Sequence, residues 1–360
     1  MMDETLIPTF EGPVCPVPLY HEEQVVMGHG SGGRMTHDLI QRVFLPSLST
    51  PALLAGNDFG QVGLPEASHM AGALVVSTDS HIVKPLFFPG GDIGRLAVCG
   101  TVNDVSMSGA IPLYLTAGFI LEEGLPMEQL KNAVEAMQAA AAEAGVQIVA
   151  GDTKVVEKGK GDGLFINTAG IGWLADGLQI NGEQAKPGDL VLVSGTLGDH
   201  GIAVLAARGE LGFETDVQSD VAPLNQMIQD LLKVAPHTHV LRDPTRGGLA
   251  TTLNEIAKQS GVCIWLEETR LPVHPAVRAA SEMLGFDPLY IANEGKLIVI
   301  VPAEEAGQAL ACLQQNKYGK NAARVGEVRS DPKGRVLLRT QIGGTRILDM
   351  LAGEMLPRIC

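Results

Sequence analysis

Short apolar segments rich in β-branched residues alternate with segments of helical periodicity along most of this 360-residue chain. This alternation constrains the fold more than any other feature, because it is typical of sheets covered by helices. Residues 73–78 predict a buried strand, and residues 92–108 predict a helix capped by Asp92. The two halves of the chain share this rhythm without an exact repeat. We therefore predict an α/β fold, of the α+β type, with about two domains.

The predicted organisation has four parts. Residues 1–24 are rich in proline and predict an irregular arm. An N-terminal domain is predicted at 25–175 and a C-terminal α/β domain at 185–330, with the boundary near 175–187. Residues 331–360 are predicted to form a tail with one short helix near 347–352.

One helix is predicted with particular clarity between Pro126 and Gly145, because proline favours the first turn and glycine the C-terminal cap. Its spacing of apolar residues predicts a single buried face. That face comprises Leu130, Val134, Met137 and Ala141.

The balance of charge excludes several classes of partner. The chain carries 26 Lys and Arg against 41 Asp and Glu, a net charge of −15, and no basic run. Proteins that bind nucleic acid or an anionic membrane need clustered positive charge, so we expect neither partner. There is no apolar run of membrane-spanning length and no cationic start followed by an apolar signal segment. These features predict a cytoplasmic protein.

The five cysteines are scattered, and none has the Cys-x-x-Cys spacing of a structural zinc site. They are expected to be reduced thiols of the cytosol. Cys360 is the last residue, on the least constrained part of a chain. A terminal thiol can be inserted into a pocket, modified, and presented to another protein. The alternatives are an inert exposed thiol and a disulfide between two subunits.

Two glycine-rich segments are candidates for phosphate binding. Residues 28–34 fit the spacing G-x-G-x-x-G, but a long loop follows instead of the βαβ unit of a dinucleotide-binding domain. A flap over phosphates and an ordinary turn both remain open. Residues 242–248 precede a predicted helix, whose N-terminus suits an anion. Here the simpler alternative is an N-cap at Asp243 or Thr245.

Three aspartates predict a magnesium site. Asp79 and Asp152 are expected just past buried strands, and Asp104 lies in an apolar helix, where a carboxylate needs a cavity. Carboxylates that converge from distant positions suit hydrated Mg²⁺, which lets an acidic protein hold a triphosphate. Caps and turns are the alternative for each aspartate alone. Lys154 adds a mobile cation, and Glu294 lies in a turn that could expose it at the edge of a site.

Seven segments together resemble one known family. They are His29–Gly33, Ser77–Ser80, Phe87–Gly94, Gly100–Asp104, Gly151–Val156, Arg242–Gly248 and Pro357–Cys360. The chain resembles the HypE family of hydrogenase maturation factors, within the superfamily of aminoimidazole-ribonucleotide synthetase and selenophosphate synthetase. The resemblance covers almost the whole chain from about residue 25. The C-terminal segment is the most specific, because relatives in the superfamily lack it.

The resemblance implies a two-domain PurM-like fold, in which two N-terminal domains pair their sheets into a barrel-like homodimer. It also implies that ATP binds between the domains and that Asp79, Asp104 and Asp152 hold Mg²⁺. The implied ATP-binding residues are Gly30, Gly32, Gly33, Asp79, Asp104, Asp152, Asp243, Arg246, Gly247 and Gly248.

The implied activity is ATP-dependent dehydration of a carbamoyl group on Cys360 to a thiocyanate. A carbamoyltransferase, HypF, would load the thiol, and a HypC–HypD complex would receive the cyanide for the nickel–iron centre of a hydrogenase. The resemblance places Lys154 and Glu294 beside the modified thiol, with Glu294 as proton acceptor, directly or through Lys154. A tail that visits a pocket and a partner needs hinges, for which Gly334 and Gly343-Gly344 are candidates.

Two other functions stay open. A small-molecule synthetase like selenophosphate synthetase would share the aspartates, but the glycine-rich segment at 28–34 lacks the reactive cysteine and nearby lysine of that enzyme. Thiamine-phosphate kinase and the purine synthetases would leave Cys360 without a role. A non-catalytic scaffold that binds ATP to hold a partner is the other alternative.

Overall fold

The computed structural model describes residues 33–44, 54–57, 59–63, 72–209, 215–353, 356 and 359–360. The predicted arm at 1–24, Cys15, Gly30 and Gly32 lie outside the described residues. Within the described part, every cysteine is a free thiol. No helix of that part is both long and apolar enough to cross a bilayer.

The N-terminal half forms a five-stranded sheet in the order β1-β2-β7-β5-β6. Its strands are mostly antiparallel, with β5 and β6 parallel. A separate two-stranded ribbon is formed by β3 and β4. The strands are β1 (Gly60–Gly63), β2 (Gly72–His81), β3 (Phe87–Phe88), β4 (Gly91–Asp92), β5 (Ile111–Glu122), β6 (Gln147–Val156) and β7 (Leu164–Ala175).

The helices of this half are α1 (Arg34–Leu39), continued by a π-helical turn (Ile40–Phe44), then α2 (Ile93–Ser106) and α3 (Met127–Ala144). The predicted cap of α2 is confirmed, since the Asp92 carboxylate accepts from the Arg95 N–H at 2.9 Å. Helix α3 ends, as predicted, at Gly145 in the left-handed conformation. Its predicted face is partly wrong, because Val134 is 45% exposed while Ala133 is buried.

The C-terminal half forms a seven-stranded sheet in the order β14-β13-β10-β12-β8-β11-β9. Apolar side chains on one face pack against α5 and α8, and those on the other face pack against α6. The strands are β8 (Leu190–Val193), β9 (Val240–Arg242), β10 (Cys263–Glu267), β11 (Ile298–Val301), β12 (Ala323–Arg329), β13 (Arg335–Arg339) and β14 (Thr345–Leu348). The helices are α4 (Asp199–Ala207), α5 (Asn225–Val234), α6 (Gly248–Ser260), α7 (Pro275–Leu284) and α8 (Ala306–Gln315), with 3₁₀ turns at Glu268–Arg270 and Pro288–Tyr290.

The tail is more ordered than predicted. Strand β13 pairs with β10 and β14 pairs with β13, so this segment extends the C-terminal sheet. The short helix predicted near 347–352 is wrong, because Ile347 and Leu348 pair with β13 as the end of β14, and residues 349–352 form neither helix nor strand. Gly334 and Gly343 occupy turns with φ of 66° and 86° on either side of β13. A hinge at these glycines would have to break strand pairing, so a hinge after β14 is more favourable.

The two sheets differ in how their faces are covered. Helix α2 packs on β2 and β7, which covers one face of the N-terminal sheet. The opposite face carries exposed apolar side chains on two strands, Val76 of β2 and Tyr114 and Ile120 of β5, and the edge strand β6 is exposed along nearly its whole length. Exposed apolar side chains in a row on a sheet are typical of a surface that a partner covers.

Close backbone packing of α2 on α3 depends on Gly94. A Cβ atom at Gly94 would lie 2.0 Å from the Ala133 carbonyl oxygen. We expect Gly94→Ala to lower the free energy of unfolding by about 1–3 kcal/mol, as overpacking does, measured by chemical denaturation. The matched control is Gly307→Ala in α8, where a Cβ meets nothing within 4 Å and helix propensity favours alanine by up to about 1 kcal/mol. Equal effects of the two substitutions would contradict this account of the packing.

Candidate active site

The tail beyond β14 is anchored along α6. The Asn254 amide donates to the Leu348 carbonyl at 2.8 Å, and the Tyr290 hydroxyl donates to the Asp349 carbonyl at 2.8 Å. The Arg34 N–H donates to the Leu351 carbonyl at 2.9 Å. A Cβ atom at Gly33 would lie 2.2 Å from that carbonyl oxygen, so only glycine fits there without movement. Gly33, predicted to bind ATP, thus contacts the tail.

The end of the chain is docked between the two halves. Ile359 forms an antiparallel bridge with Val83, just beyond β2, and the Ile82 N–H donates to the Cys360 carbonyl at 3.1 Å. Leu356 and Ile359 are buried in the core that also contains residues of α2 and α4. The imidazole Nε2 of His200 lies 2.5 Å from the Ile359 carbonyl oxygen. Backbone and apolar contacts therefore place the terminal thiol.

The thiol of Cys360 lies beside Glu294. Burial raises the pKa of the Cys360 thiol, and the nearby Glu294 carboxylate raises it further, both by its charge and by a hydrogen bond. Arg246 opposes this shift. Arg246 in turn has a raised pKa, caused first by its proximity to Cys360 and then by the charges of Asp79, Glu294 and Asp104. The thiol is consequently held in its neutral form, within a group of charged side chains.

Hydrogen bonds fix the turn that carries Glu294. The Asn293 side chain accepts from the Gly198 N–H at 2.7 Å and donates to the Pro244 carbonyl at 2.9 Å. The Glu294 N–H donates to the Asp220 carboxylate at 3.1 Å, and Asp220 pairs with Lys296 at 3.0 Å.

Glu294 is only 4% exposed. Burial raises the pKa of Glu294 well above its ordinary value, and the charges of Asp79, Asp220 and Asp243 raise it further. Its Oε1 has no hydrogen-bond partner among the described residues. A buried acceptor without a partner, next to a thiol, can receive a proton from a group attached to that thiol.

Asp79 and Asp104 face the same helix-covered side of the N-terminal sheet. The Ser77 hydroxyl, on β2, donates to the Asp104 carboxylate of α2 at 2.7 Å. Asp79 lies two residues further along β2, with its Oδ2 at 3.3 Å from the Cβ position of Gly100, one turn before Asp104. The structure thus places these two carboxylates near each other and near Arg246. The prediction that Asp79 follows a strand is wrong, because β2 continues to His81.

Asp152 and Lys154 lie elsewhere. Both belong to β6, rather than following a strand as predicted, and they pair with each other at 2.5 Å while largely exposed. Asp152 is three strands from β2, about 14 Å at ordinary strand spacing. Across the sheet, Asp152 is in register with Ser80 of β2, through one residue each of β5 and β7. Residues in register lie on the same face, so Asp152 lies on the open face with Ser80. Asp79 is the neighbour of Ser80 along β2 and therefore points to the opposite, helix-covered face. A single chain therefore does not bring Asp152 or Lys154 to the thiol.

The same geometry limits the predicted metal site. Among the described residues, no group of three or more histidine, cysteine, aspartate or glutamate side chains is arranged to hold a metal ion. Hydrated Mg²⁺ needs only one or two carboxylates when phosphates supply further oxygens. Asp79 and Asp104 fit that requirement, while convergence of all three predicted aspartates within one chain does not occur.

The second glycine-rich segment begins α6. Gly247 is the N-cap, with φ of 78°, and among the described residues no side chain caps the helix. The alternative of an N-cap at Asp243 or Thr245 is therefore wrong. A Cβ atom at Gly248 would lie 2.6 Å from the Leu289 carbonyl oxygen, which explains the second glycine. A helix N-terminus without a side-chain cap favours a bound anion, and Arg246 and buried Asp243 flank this one.

Comparisons with known proteins agree with this architecture. Residues 64–174 match the N-terminal domain model of AIR synthase related proteins, and residues 186–339 match the C-terminal domain model. Carbamoyl dehydratase HypE of Cupriavidus necator is 53% identical over 337 residues, which cover 94% of this chain and 95% of that protein. Carbamoyl dehydratase HypE of Escherichia coli is 47% identical over 336 residues, 93% of this chain and 99% of that protein.

The chain belongs to the HypE family. Its predicted two-domain PurM-like fold is confirmed. A solved HypE in complex with ATP is 51% identical, covers 94% of this chain and 100% of its own, and has a TM-score of 0.78. A HypE–HypF complex is 51% identical over 87% of this chain and 99% of its own, with a TM-score of 0.81. Thiamine monophosphate kinase from Aquifex aeolicus, at 19% identity and a TM-score of 0.60, shares the fold alone.

Several residues of this HypE-family site escaped the sequence analysis. His200, Asp220 and Lys296 surround Glu294 and the tail, and Asn293 fixes the turn. The sequence does contain a weak signal for His200, a polar Asp-His pair between two glycines where an apolar helix begins. Asp220 lies in a segment without periodicity, and nothing in the sequence marks it. Buried His81 is also near, with Nε2 at 3.5 Å from the Asp79 carboxylate.

The environment of Cys360 in this HypE-family chain makes a direct prediction. Only a thiolate is alkylated, so a thiol of raised pKa reacts slowly. At about pH 8.5, the ordinary pKa of a cysteine, we expect Cys360 to react with iodoacetamide at least about tenfold more slowly than in a free peptide of the last four residues. Its labelling should rise only at higher pH than in the peptide. Peptide-resolved mass spectrometry measures both rates, and equal rates would show that the thiol does not occupy this environment.

Proposed function

We propose that this chain is an ATP-dependent dehydratase that converts a carbamoyl group on its own Cys360 to a thiocyanate. The observation that carries the proposal is the position of the terminal thiol, docked beside the buried carboxyl of Glu294. An inert exposed thiol would not need a bridge to Val83, hydrogen bonds from Ile82 and His200, and two buried apolar residues. Its relatives from Cupriavidus necator and Escherichia coli are carbamoyl dehydratases by name, which supports the same reaction.

ATP is proposed to bind near the thiol, between the glycine-rich segments. The uncapped start of α6, with Gly247, Gly248 and Arg246, suits its phosphates. Gly30, Gly32 and Gly33 remain proposed contacts of the first segment. Asp79 and Asp104 would hold Mg²⁺, which neutralises phosphate charge when bound. A solved relative in complex with ATP supports the assignment of the nucleotide.

The chemistry requires activation of a poor leaving group. Transfer of the γ-phosphoryl group of ATP to the carbamoyl oxygen, with loss of one N–H proton, gives an imidate phosphate and ADP. Breaking the C–O bond then releases phosphate, and loss of the second N–H proton completes the C≡N bond. Glu294 is proposed as the proton acceptor, because its raised pKa brings its basicity closer to neutral pH. Arg246 would stabilise negative charge that develops on oxygen.

The roles of Asp152 and Lys154 depend on assembly. Both lie on the open face of the N-terminal sheet, where the proposed homodimer would form. They can act on the carbamoyl group or the nucleotide only if a second subunit or a conformational change brings them there. Proton transfer from the substrate through Lys154 to Glu294 is therefore not proposed for the isolated chain.

The proposed partners follow from the reaction. HypF would load the carbamoyl group, and a solved HypE–HypF complex of a relative supports this pairing. A HypC–HypD complex would accept the cyanide after the residues beyond β14 leave the pocket. A thiol that must stay reduced until it is loaded is suited to the cytosol.

The base assignment predicts that Glu294→Gln leaves carbamoyl loading intact and slows single-turnover dehydration by at least about a hundredfold, as loss of a general base does. In the native protein, protonation of Glu294 inactivates the base. The rate should therefore fall as pH drops through a pKa above the ordinary glutamate range. Intact-protein mass spectrometry follows the gain of carbamoyl and the loss of one water with ATP. Dehydration at the native rate in Glu294→Gln would refute the assignment.

Cys360→Ala separates this reaction from the two alternatives. It should abolish both loading and dehydration, whereas a scaffold would keep its function and a small-molecule synthetase would keep its ATPase activity.

The proposed homodimer predicts that a charge on the open sheet face disrupts association. Ile120 on β5 is 44% exposed in the single chain, and the strand register puts it on the same face as Ser80. Ile120→Lys should weaken dimerisation by about a hundredfold, because the interface would bury an unpaired charge. Analytical ultracentrifugation measures the change. Met283→Lys is the matched control, since Met283 is 71% exposed on α7. A native-like dimer in Ile120→Lys would place the interface elsewhere.

A further inference from the structure

His200 is a completely buried histidine with one partner in the tail and one in the body of the protein. Its Nε2 lies 2.5 Å from the Ile359 carbonyl oxygen, and its Nδ1 lies 2.8 Å from the Ser219 hydroxyl. Its ring packs edge-on against Phe88, with ring centroids 5.5 Å apart at 86°. Both nitrogens are satisfied and the ring has a fixed orientation.

The hydrogen-bond network assigns the tautomer. A carbonyl oxygen only accepts, so Nε2 must carry the hydrogen. The Ser219 hydroxyl oxygen accepts from the Val221 N–H at 3.2 Å and donates its own hydrogen to Nδ1. Burial lowers the pKa of His200, although Asp220 and the Ile359 carbonyl oppose the shift. The imidazole is thus neutral and presents its single N–H to the tail.

The same loop fixes the other side of the thiol. Ser219 orients His200, and the adjacent Asp220 accepts from the Glu294 N–H and pairs with Lys296. Ser219 is itself anchored, because its N–H donates to the Pro89 carbonyl at 2.8 Å. Two neighbouring residues of one anchored loop therefore set the position of the tail carbonyl and the position of the base.

We propose that His200 is a positioning residue that holds Cys360 against Glu294 through the carbonyl of Ile359. The hydrogen bond from His200 goes to the backbone of Ile359 and not to the cysteine side chain. The thiol, and any carbamoyl group on it, therefore stays free to react. The Ile82 N–H donates a second hydrogen bond to the chain end, at the carbonyl of Cys360 itself. This inference rests on the proposed function for its purpose, but the docking itself is measurable without any reaction.

Three variants test the role. His200→Phe keeps a buried ring and removes the donor, whereas His200→Gln keeps a side-chain N–H that can reach the carbonyl. His237→Phe is the matched control, because the His237 side chain is 77% exposed and pairs with Glu305 at the surface. Alkylation of Cys360 is followed in the full chain by peptide-resolved mass spectrometry. Buried Cys99 and Cys263 report in the same experiment whether the fold is intact.

His200→Phe is expected to accelerate labelling of Cys360 about tenfold, the effect of one lost buried hydrogen bond on the docked population. Cys99 and Cys263 should stay protected, and His200→Gln should restore most of the slow rate. In carbamoylated protein at saturating ATP, His200→Phe should slow single-turnover dehydration by a similar factor, while HypF-dependent loading is not slowed.

Native-rate labelling of Cys360 in His200→Phe with Cys99 protected would overturn the proposal, as would faster labelling that His200→Gln fails to reverse. If His200→Phe unfolds and exposes Cys99, Ser219→Ala takes its place and is judged by the same labelling criterion. If even the native chain does not dehydrate its carbamoyl group, the proposed function fails, and the positioning role still stands or falls on the labelling rates.

Discussion

The docking of the last two residues onto the backbone just beyond β2 is the interaction on which the site depends. Val83 and Ile82 extend the strand that carries Asp79, so Cys360 is fixed relative to a carboxylate of the N-terminal half. His200 and Glu294 belong to the C-terminal half and contact the same two residues. The chain end thus joins both halves. A terminus held by a few hydrogen bonds and two apolar side chains can also be released at modest cost.

The electrostatics of the site follow from this placement. An acidic chain gathers Asp79, Asp220 and Asp243 around Glu294, with Lys296 and Arg246 as local cations. Burial and like charges raise the pKa of Glu294 and of the Cys360 thiol. The carboxylate of Glu294 is thereby a stronger base than an ordinary glutamate, and the Cys360 thiol stays neutral rather than forming a permanent ion pair. This differs from Asp152 and Lys154, which form an exposed ion pair of the kind that contributes little to stability.

The two sheets differ in how much of their apolar surface is covered by helices. Helices cover both faces of the C-terminal sheet, whereas the N-terminal sheet leaves β6 and its neighbours open. Glycines allow the covered side to pack closely, as where Gly94 meets the Ala133 carbonyl of α3. In the proposed homodimer, a second copy of the chain would cover this open apolar face.

The sequence by itself determined the elements and the chemistry of the chain end. The Asp92 cap, the Pro126-to-Gly145 helix and most strands followed from local periodicity and capping, which depend on neighbouring residues. The glycine-rich segments and Cys360 identified the family resemblance. Only the tertiary structure decided which distant residues meet. Asp79 and Asp152 look alike in sequence, yet strand order and the two-residue alternation of side chains put them on opposite faces. His200 and Asp220 gain their positions from contacts more than 70 residues away, which no local pattern encodes.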